Sequence, residues 1–142
     1  TLTAVPIGKA RKVREGRRVA LLAFGTLLAA ARTAAAELDA TLIDMRFIKP
    51  LDEVMLHEVF SKFNKVVTIE DNAIQGGLGS AVIEFMVDHG YHAEVKRLGI
   101  QDRIFEHGSQ DQLFAESGVD IIGIKQACYD LIGERLNNSL AS

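Results

Sequence analysis

Apolar and polar positions along this 142-residue chain follow two alternating patterns: short continuous apolar runs, and longer stretches with helical spacing. Arg18–Phe24, RVALLAF, is an apolar run of strand length that Gly25 and Thr26 close. Leu27, Ala31, Ala34 and Leu38 then recur at helical spacing and predict a helix through Leu38. Its alanines favour that helix by propensity and keep it slim enough to lie close to a sheet. Thr41–Met45, TLIDM, predicts a second strand, after which RFIKP leaves the sheet and Pro50 ends regular pairing. Asp52 stands as the N-cap of a helix whose Leu56, Val59, Phe60 and Phe63 form one apolar stripe.

The alternation continues. Val66–Glu70, VVTIE, predicts a third strand, and the loop DNAIQGG leads to a helix from about Leu78 to His89, with Gly90 as its stop. Glu94–Ile100, EVKRLGI, reads as a fourth and less buried strand. A polar loop, QDRIFEHG, follows, and Ser109 with Gln112 has the form of a capping box. The last helix is expected from near Asp120 to about Leu136, with Ile124, Cys128 and Leu131 on one side and a frayed tail beyond. Ahead of all this, Lys9–Arg18 holds six basic residues against Glu15 and alternates as an edge strand does. Charged edges block unwanted strand pairing, so an edge or linker reading is preferred over a basic arm that binds phosphate. The expected architecture is α/β, a three-layer αβα domain with a mainly parallel sheet of about five strands. Residues 1–17 would be linker and edge strand, 18–136 the domain and 137–142 the tail.

Composition narrows the class. Hydrophobic residues at 48% and charged residues at 25%, with two prolines, fit a soluble globular domain without long disordered linkers. The longest apolar run, around Val19–Phe24, is far too short to span a bilayer, and the opening TLTAVPIGKARKVREG does not read as a signal peptide. A cytoplasmic location is therefore expected. The net charge of −3 and a pI near 5.8 give no general attraction to nucleic acid or anionic lipid. The single cysteine, Cys128, has no partner for a disulfide or a metal cage and reads as a core residue in preference to a reactive thiol.

In a parallel sheet the strand ends deliver polar side chains to one rim. Asp44, Arg46 and Lys49 would arrive there from one strand, Glu70, Asp71 and Asn72 from the next, and Gln101, Asp102, Arg103, Glu106 and His107 from the fourth. Such a rim can be a catalytic pocket or a surface that docks another domain or subunit. The glycine loop QGGLGSA opens a helix, where backbone N–H groups can hold phosphate. It lacks the spacing of a dinucleotide fingerprint and has no P-loop lysine, so close helix–strand packing is the preferred reading. Ser80 in GLGSAV lacks the nucleophile-elbow form. Glu70 and Asp71 are adjacent and would point to opposite faces of a strand, a poor acid–base pair. Of the histidines, His57 and His89 fall on helices and His92 in a turn, without companions for a metal set. His107 is the best histidine candidate for a functional contact, with a loop-fixing hydrogen bond as the preferred reading.

The segments PIGKARKVREGRRVALLAFGTLL, ATLIDMRFIKPLD, VVTIEDNAIQGGLGSAV and LGIQDRIFEHGSQDQLFAESGVDIIGI together resemble the C-terminal, transketolase C-terminal-like domain of the 1-deoxy-D-xylulose-5-phosphate synthases. The similarity runs in order from Pro6 to about Leu131. DMRFIKPLD and EHGSQ carry the synthase-specific part of it. The pattern of acidic residue, glycine loop and helix is shared with transketolases and with the β chains of 2-oxo acid dehydrogenases.

The resemblance implies a parent enzyme that joins pyruvate to glyceraldehyde 3-phosphate with loss of carbon dioxide. That enzyme uses thiamine diphosphate and Mg²⁺ and feeds isoprenoid, thiamine and pyridoxal synthesis. It also implies partners: N-terminal and middle domains, and a second copy in a homodimer. The family's GDG motif is absent from this chain, and the glutamate that activates the aminopyrimidine belongs to the middle domain, so Glu70 is not that glutamate. The expectation is a docking and dimer-forming domain with no catalytic, cofactor-binding or metal residue of its own. Its interface would draw on Asp44, Arg46, Lys49, Glu70, Asp71, Gly76, Gly77, Gly79 and His107. The rival readings are a stand-alone phosphate-ligand module and the equivalent domain of a 2-oxo acid dehydrogenase β chain.

Overall fold

The computed structural model describes residues 7–73, 77–100 and 120–133. Among them five strands form one sheet: β1 (Arg11–Arg14), β2 (Ala20–Phe24), β3 (Thr41–Asp44), β4 (Lys65–Ala73) and β5 (Glu94–Ile100). Their order is β1-β3-β2-β4-β5; β2, β3, β4 and β5 are parallel and β1 runs antiparallel on the edge beside β3. The helices are α1 (Leu28–Leu38), α2 (Glu53–Lys62), α3 (Leu78–Asp88) and α4 (Ile121–Ile132). This is the expected αβα architecture with a mainly parallel sheet.

The central strands are apolar on both sides because both faces are covered. Leu21, Ala23, Leu42, Val67 and Ile69 pack with Ala31, Ala34 and Ala35 of α1 and with Ile124, Ala127 and Cys128 of α4. On the other face Ala20, Leu22, Ile43 and Val66 pack with Leu56, Val59 and Phe60 of α2 and with Leu78, Val82 and Phe85 of α3. Each fully buried leucine or isoleucine of this kind contributes roughly 2 kcal/mol. The alanine face admits a thin helix, while the second face is filled by larger side chains. Cys128 is fully buried, and burial pushes its thiol up to about 12.

Local chemistry sets most boundaries as the sequence predicts. Asp52 caps α2, its Oδ1 accepting from the Met55 N–H at 3.0 Å. Gly90 adopts φ 74 immediately after the C-cap of α3. Three boundaries differ by two residues or more. Arg18 and Val19 precede β2: the Arg17 and Arg18 N–H groups donate to the Asp39 carbonyl, and the ladder with β3 begins where the Val19 carbonyl accepts from the Thr41 N–H at 3.0 Å. β4 continues through Ala73, because β5 pairs with it as far as Ile100. The last helix stops at Ile132 and not near Leu136, because Gly133 takes the left-handed conformation, φ 78, and closes it. The Gln101–His107 loop, the Ser109–Gln112 capping box and the C-terminal tail lie outside the described residues.

Candidate functional site

β3, β2 and β4 end side by side, and their last residues build the carboxyl rim. β4 contributes two neighbouring carboxylates that turn to opposite faces, as a strand requires. Glu70 faces α3 and is 1% exposed. Its Oε1 accepts from the Leu78 N–H and its Oε2 from the Gly79 N–H, both at 2.9 Å. These are the first two N–H groups of α3, which have no partner inside the helix. Gly77, the N-cap, has no side chain to satisfy them, so a carboxylate from the neighbouring strand does. A negative charge at this end of a helix is also favoured by the helix dipole.

Asp71 faces the turn between β2 and α1. Its Oδ2 accepts from the Thr26 N–H at 2.9 Å and from the Thr26 hydroxyl at 2.7 Å. Gly25, at φ 94, makes room: a Cβ there would lie 2.4 Å from Asp71 Oδ1. β2 and β4 are adjacent, yet the helices that follow them cover opposite faces of the sheet. The crevice between two such strand ends is where open α/β sheets usually bind ligands. Here Asp71 spans the two strand ends, bonded to Thr26 in the turn after β2.

Gly79 lets α3 come close to the sheet. A Cβ on it would lie 2.7 Å from Cδ of Arg97 and 2.9 Å from Oγ1 of Thr68, a residue held on the buried strand. The glycine therefore serves packing, and the phosphate-holding reading of this loop is left with fewer free donors, since Glu70 already occupies two of them. On β3, Asp44 lies 3.9 Å from Arg46, and both are partly buried. Arg46 takes φ 61, and the Phe47 N–H donates to the Met45 carbonyl at 2.5 Å across it, a tight turn. Lys49 is exposed at the end of this turn. Gly76 and His107 lie outside the described residues.

The structure thus pairs Glu70 with Gly77–Gly79, Asp71 with Gly25–Thr26, and Asp44 with Arg46. It does not gather all of them into one pocket, since β2 separates Asp44 from Glu70 and Asp71. Sequence reasoning missed Thr26 as the partner of Asp71 and missed the conformation of Arg46. A Gly–Thr pair directly after a strand was the available signal for the first.

Three clefts, of about 390, 490 and 360 Å³, open at the opposite, amino end of the strands. The first is lined by charges with partners close by: Lys12 lies 2.5 Å from Glu58 and 3.2 Å from Glu15, and Asp39 lies 3.9 Å from Arg17 and, outside the lining, 3.5 Å from Arg14. Glu58, hydrogen-bonded to Lys12, holds that ammonium above its ordinary value, and Lys12 holds Glu58 below the usual carboxylate range. Much of the basic arm is thus engaged with carboxylates of its own domain. The other two clefts flank Tyr91, whose hydroxyl lies 2.6 Å from Nδ1 of His57. His57, His89, Phe85, Tyr91 and Phe60 form an aromatic cluster there that periodicity did not reveal. Among the described residues no group of three histidine, cysteine or carboxylate side chains is placed to hold a metal ion.

Residues 8–124 match the family model described as "Transketolase, C-terminal domain". The chain belongs to that family. It is 49% identical over 125 residues to a 1-deoxy-D-xylulose-5-phosphate synthase of Vibrio vulnificus, an alignment covering 88% of this chain and 20% of the relative. It is 48% identical over 134 residues to the synthase of the same name from Cytophaga hutchinsonii, covering 91% of this chain and 21% of the relative. The chain therefore spans about one-fifth of the length of the curated relatives it matches. Among solved structures, a split-gene transketolase described as an inactive β4 tetramer superposes with a TM-score of 0.84 at 29% identity, covering 92% of this chain and 44% of that one. The fold that the sequence implied is the fold of this family.

Proposed function

We propose that this chain is the docking and dimer-forming domain of a 1-deoxy-D-xylulose-5-phosphate synthase. The parent enzyme condenses pyruvate with glyceraldehyde 3-phosphate and releases carbon dioxide. The observation that carries the reading is the double filling of the rim. The N-terminus of α3 and the crevice between β2 and β4 are the two places where this fold would hold a phosphate, and Glu70 and Asp71 occupy them.

Thiamine diphosphate and Mg²⁺ belong to the parent enzyme in this reading. The described residues do not fit them: the helix-terminal donors are taken up by Glu70, and a diphosphate brought there would meet a buried carboxylate. No step of the reaction is assigned to a residue of this chain. Its contribution is a surface that draws on Asp44, Arg46, Lys49 and Asp71 and packs against the N-terminal and middle domains and against a second copy. A cytoplasmic location suits a metabolic synthase, and among the described residues no helix is long and apolar enough to cross a membrane.

The synthase wording of the close relatives favours this reading over the 2-oxo acid dehydrogenase alternative. The test is a turnover assay with pyruvate, glyceraldehyde 3-phosphate, thiamine diphosphate and Mg²⁺. The isolated chain is expected to release no carbon dioxide above background, and the full-length polypeptide carrying it is expected to be active. Carbon dioxide release by the isolated chain would end the proposal.

A further inference from the structure

Two histidines from different helices meet at the amino end of the strands. His57 stands midway along α2, and His89 is the C-cap of α3. Both are exposed, with ring centroids 4.7 Å apart and planes at 90°. The Phe85 ring stacks on His89 at 4.1 Å and lies 4.8 Å from His57, so both imidazoles rest against one packed ring. Their remaining contacts assign the nitrogens. Nδ1 of His89 lies 2.9 Å from the Phe85 carbonyl, which only accepts, so in the neutral ring Nδ1 carries the proton and Nε2 a lone pair. Nδ1 of His57 lies 2.6 Å from the Tyr91 hydroxyl. When that N–H donates to the hydroxyl, Nε2 of His57 also presents a lone pair. Neither Nε2 has a hydrogen-bond partner among the described residues.

Histidines that bind metals are held in this way, with one ring nitrogen fixed by a carbonyl or other polar group and the second left to the ion. The spacing fits one shared ion. Imidazole nitrogen binds Zn²⁺ at about 2.0–2.1 Å, which puts each ring centroid roughly 3.2 Å from the ion. At a tetrahedral angle two such centroids stand about 5.2 Å apart, within about half an ångström of the observed 4.7 Å. The carbonyl end of α3, where His89 sits, also favours a cation. We propose that His57 and His89 bind a transition-metal cation of the Zn²⁺, Ni²⁺ and Cu²⁺ class through their Nε2 atoms. Imidazoles select such ions, whereas Mg²⁺ and Ca²⁺ take oxygen ligands. Among the described residues no third histidine, cysteine or carboxylate stands with the pair, so water completes the shell and the site binds more weakly than a closed four-ligand one. The bound ion ties α2 to α3 across the helix layer that covers one face of the sheet.

Calorimetric titration of the 142-residue chain, without a histidine tag, with ZnCl₂ tests this. One saturable site per chain is expected, and no binding of MgCl₂. His57→Ala and His89→Ala are each expected to weaken Zn²⁺ binding at least ~10-fold, because one imidazole alone is a poor site. His92→Ala removes another exposed histidine from the same end and should leave binding unchanged. A second measurement needs only the unaltered chain, so it stands even where a variant fails to fold. In long-range ¹H–¹⁵N spectra, Zn²⁺ is expected to shift Nε2 of both His57 and His89 and to leave the ring of His92 as it was. Absence of saturable binding would overturn the proposal. So would binding that survives either substitution, or a spectrum in which only one of the two rings responds.

Discussion

Glu70 and Asp71 are chemical near-twins, adjacent in sequence, and both bind backbone N–H groups where a helix begins. They differ in burial and in what they hold apart. Glu70 is 1% exposed and satisfies two N–H groups of α3 itself, whereas Asp71 is only partly buried and ties the exposed turn ahead of α1. A hydrogen bond is worth most where losing it strands a donor away from water. The first carboxylate is thus built into the body of the domain, and the second is a clasp on its rim. Both fill positions that this fold otherwise offers to anions.

The largest effect should come from breaking the buried member. Glu70→Ala leaves two helix-terminal N–H groups without an acceptor and a void beneath them, at a cost of about 3 kcal/mol, read as a lower midpoint in urea unfolding. Glu70→Gln keeps one acceptor and should fall between the variant and the parent.

The helix that Glu70 caps needs Gly79 to reach it. Gly79→Ala is expected to cost about 2 kcal/mol by overpacking against Thr68 and Arg97, despite the better helix propensity of alanine. A gain in stability would show that α3 can lift away from the sheet.

The rim clasp should matter less. Asp71→Ala should cost about 1 kcal/mol, and exchange should speed up chiefly at Thr26. A loss as large as that of Glu70→Ala would erase the distinction between the two.

Smallest of all is the exposed ion pair at the amino end. The pKa of Glu58 is lowered in the folded state by Lys12, so the pair's stabilisation is present above the unfolded carboxylate value of about 4.3 and is lost as pH falls through the folded one. Lys12→Met should therefore differ from the parent by at most ~0.5 kcal/mol at pH 7 and by less at about pH 3. Unfolding curves at the two values check the sign.

Much of this was legible in the chain. The apolar runs at Ala20–Phe24 and Val66–Ile69 are buried-strand patterns with one meaning, and Asp52 is a cap recognisable from its neighbours alone. The close approach at Gly79 also followed from a small residue in the first turn of a helix. The grip of Asp71 on Thr26 spans 45 residues of sequence, and no periodicity encodes such a pairing. The same holds for the direction of β1, which alone places Ile7 beside the rim. Gly133 reads as a stop, but the apolar spacing continues past it to Leu136 and masks that signal. The left-handed Arg46 carries no mark in its own identity, since arginine has no preference for that conformation.

The domain's own carboxylates, Glu70 and Asp71, take up the donors that an anionic cofactor would need. Isothermal calorimetry of the 142-residue chain against thiamine diphosphate with Mg²⁺ tests it most directly. Heats of dilution alone are expected, up to millimolar cofactor. A saturable isotherm with one site per chain would contradict it.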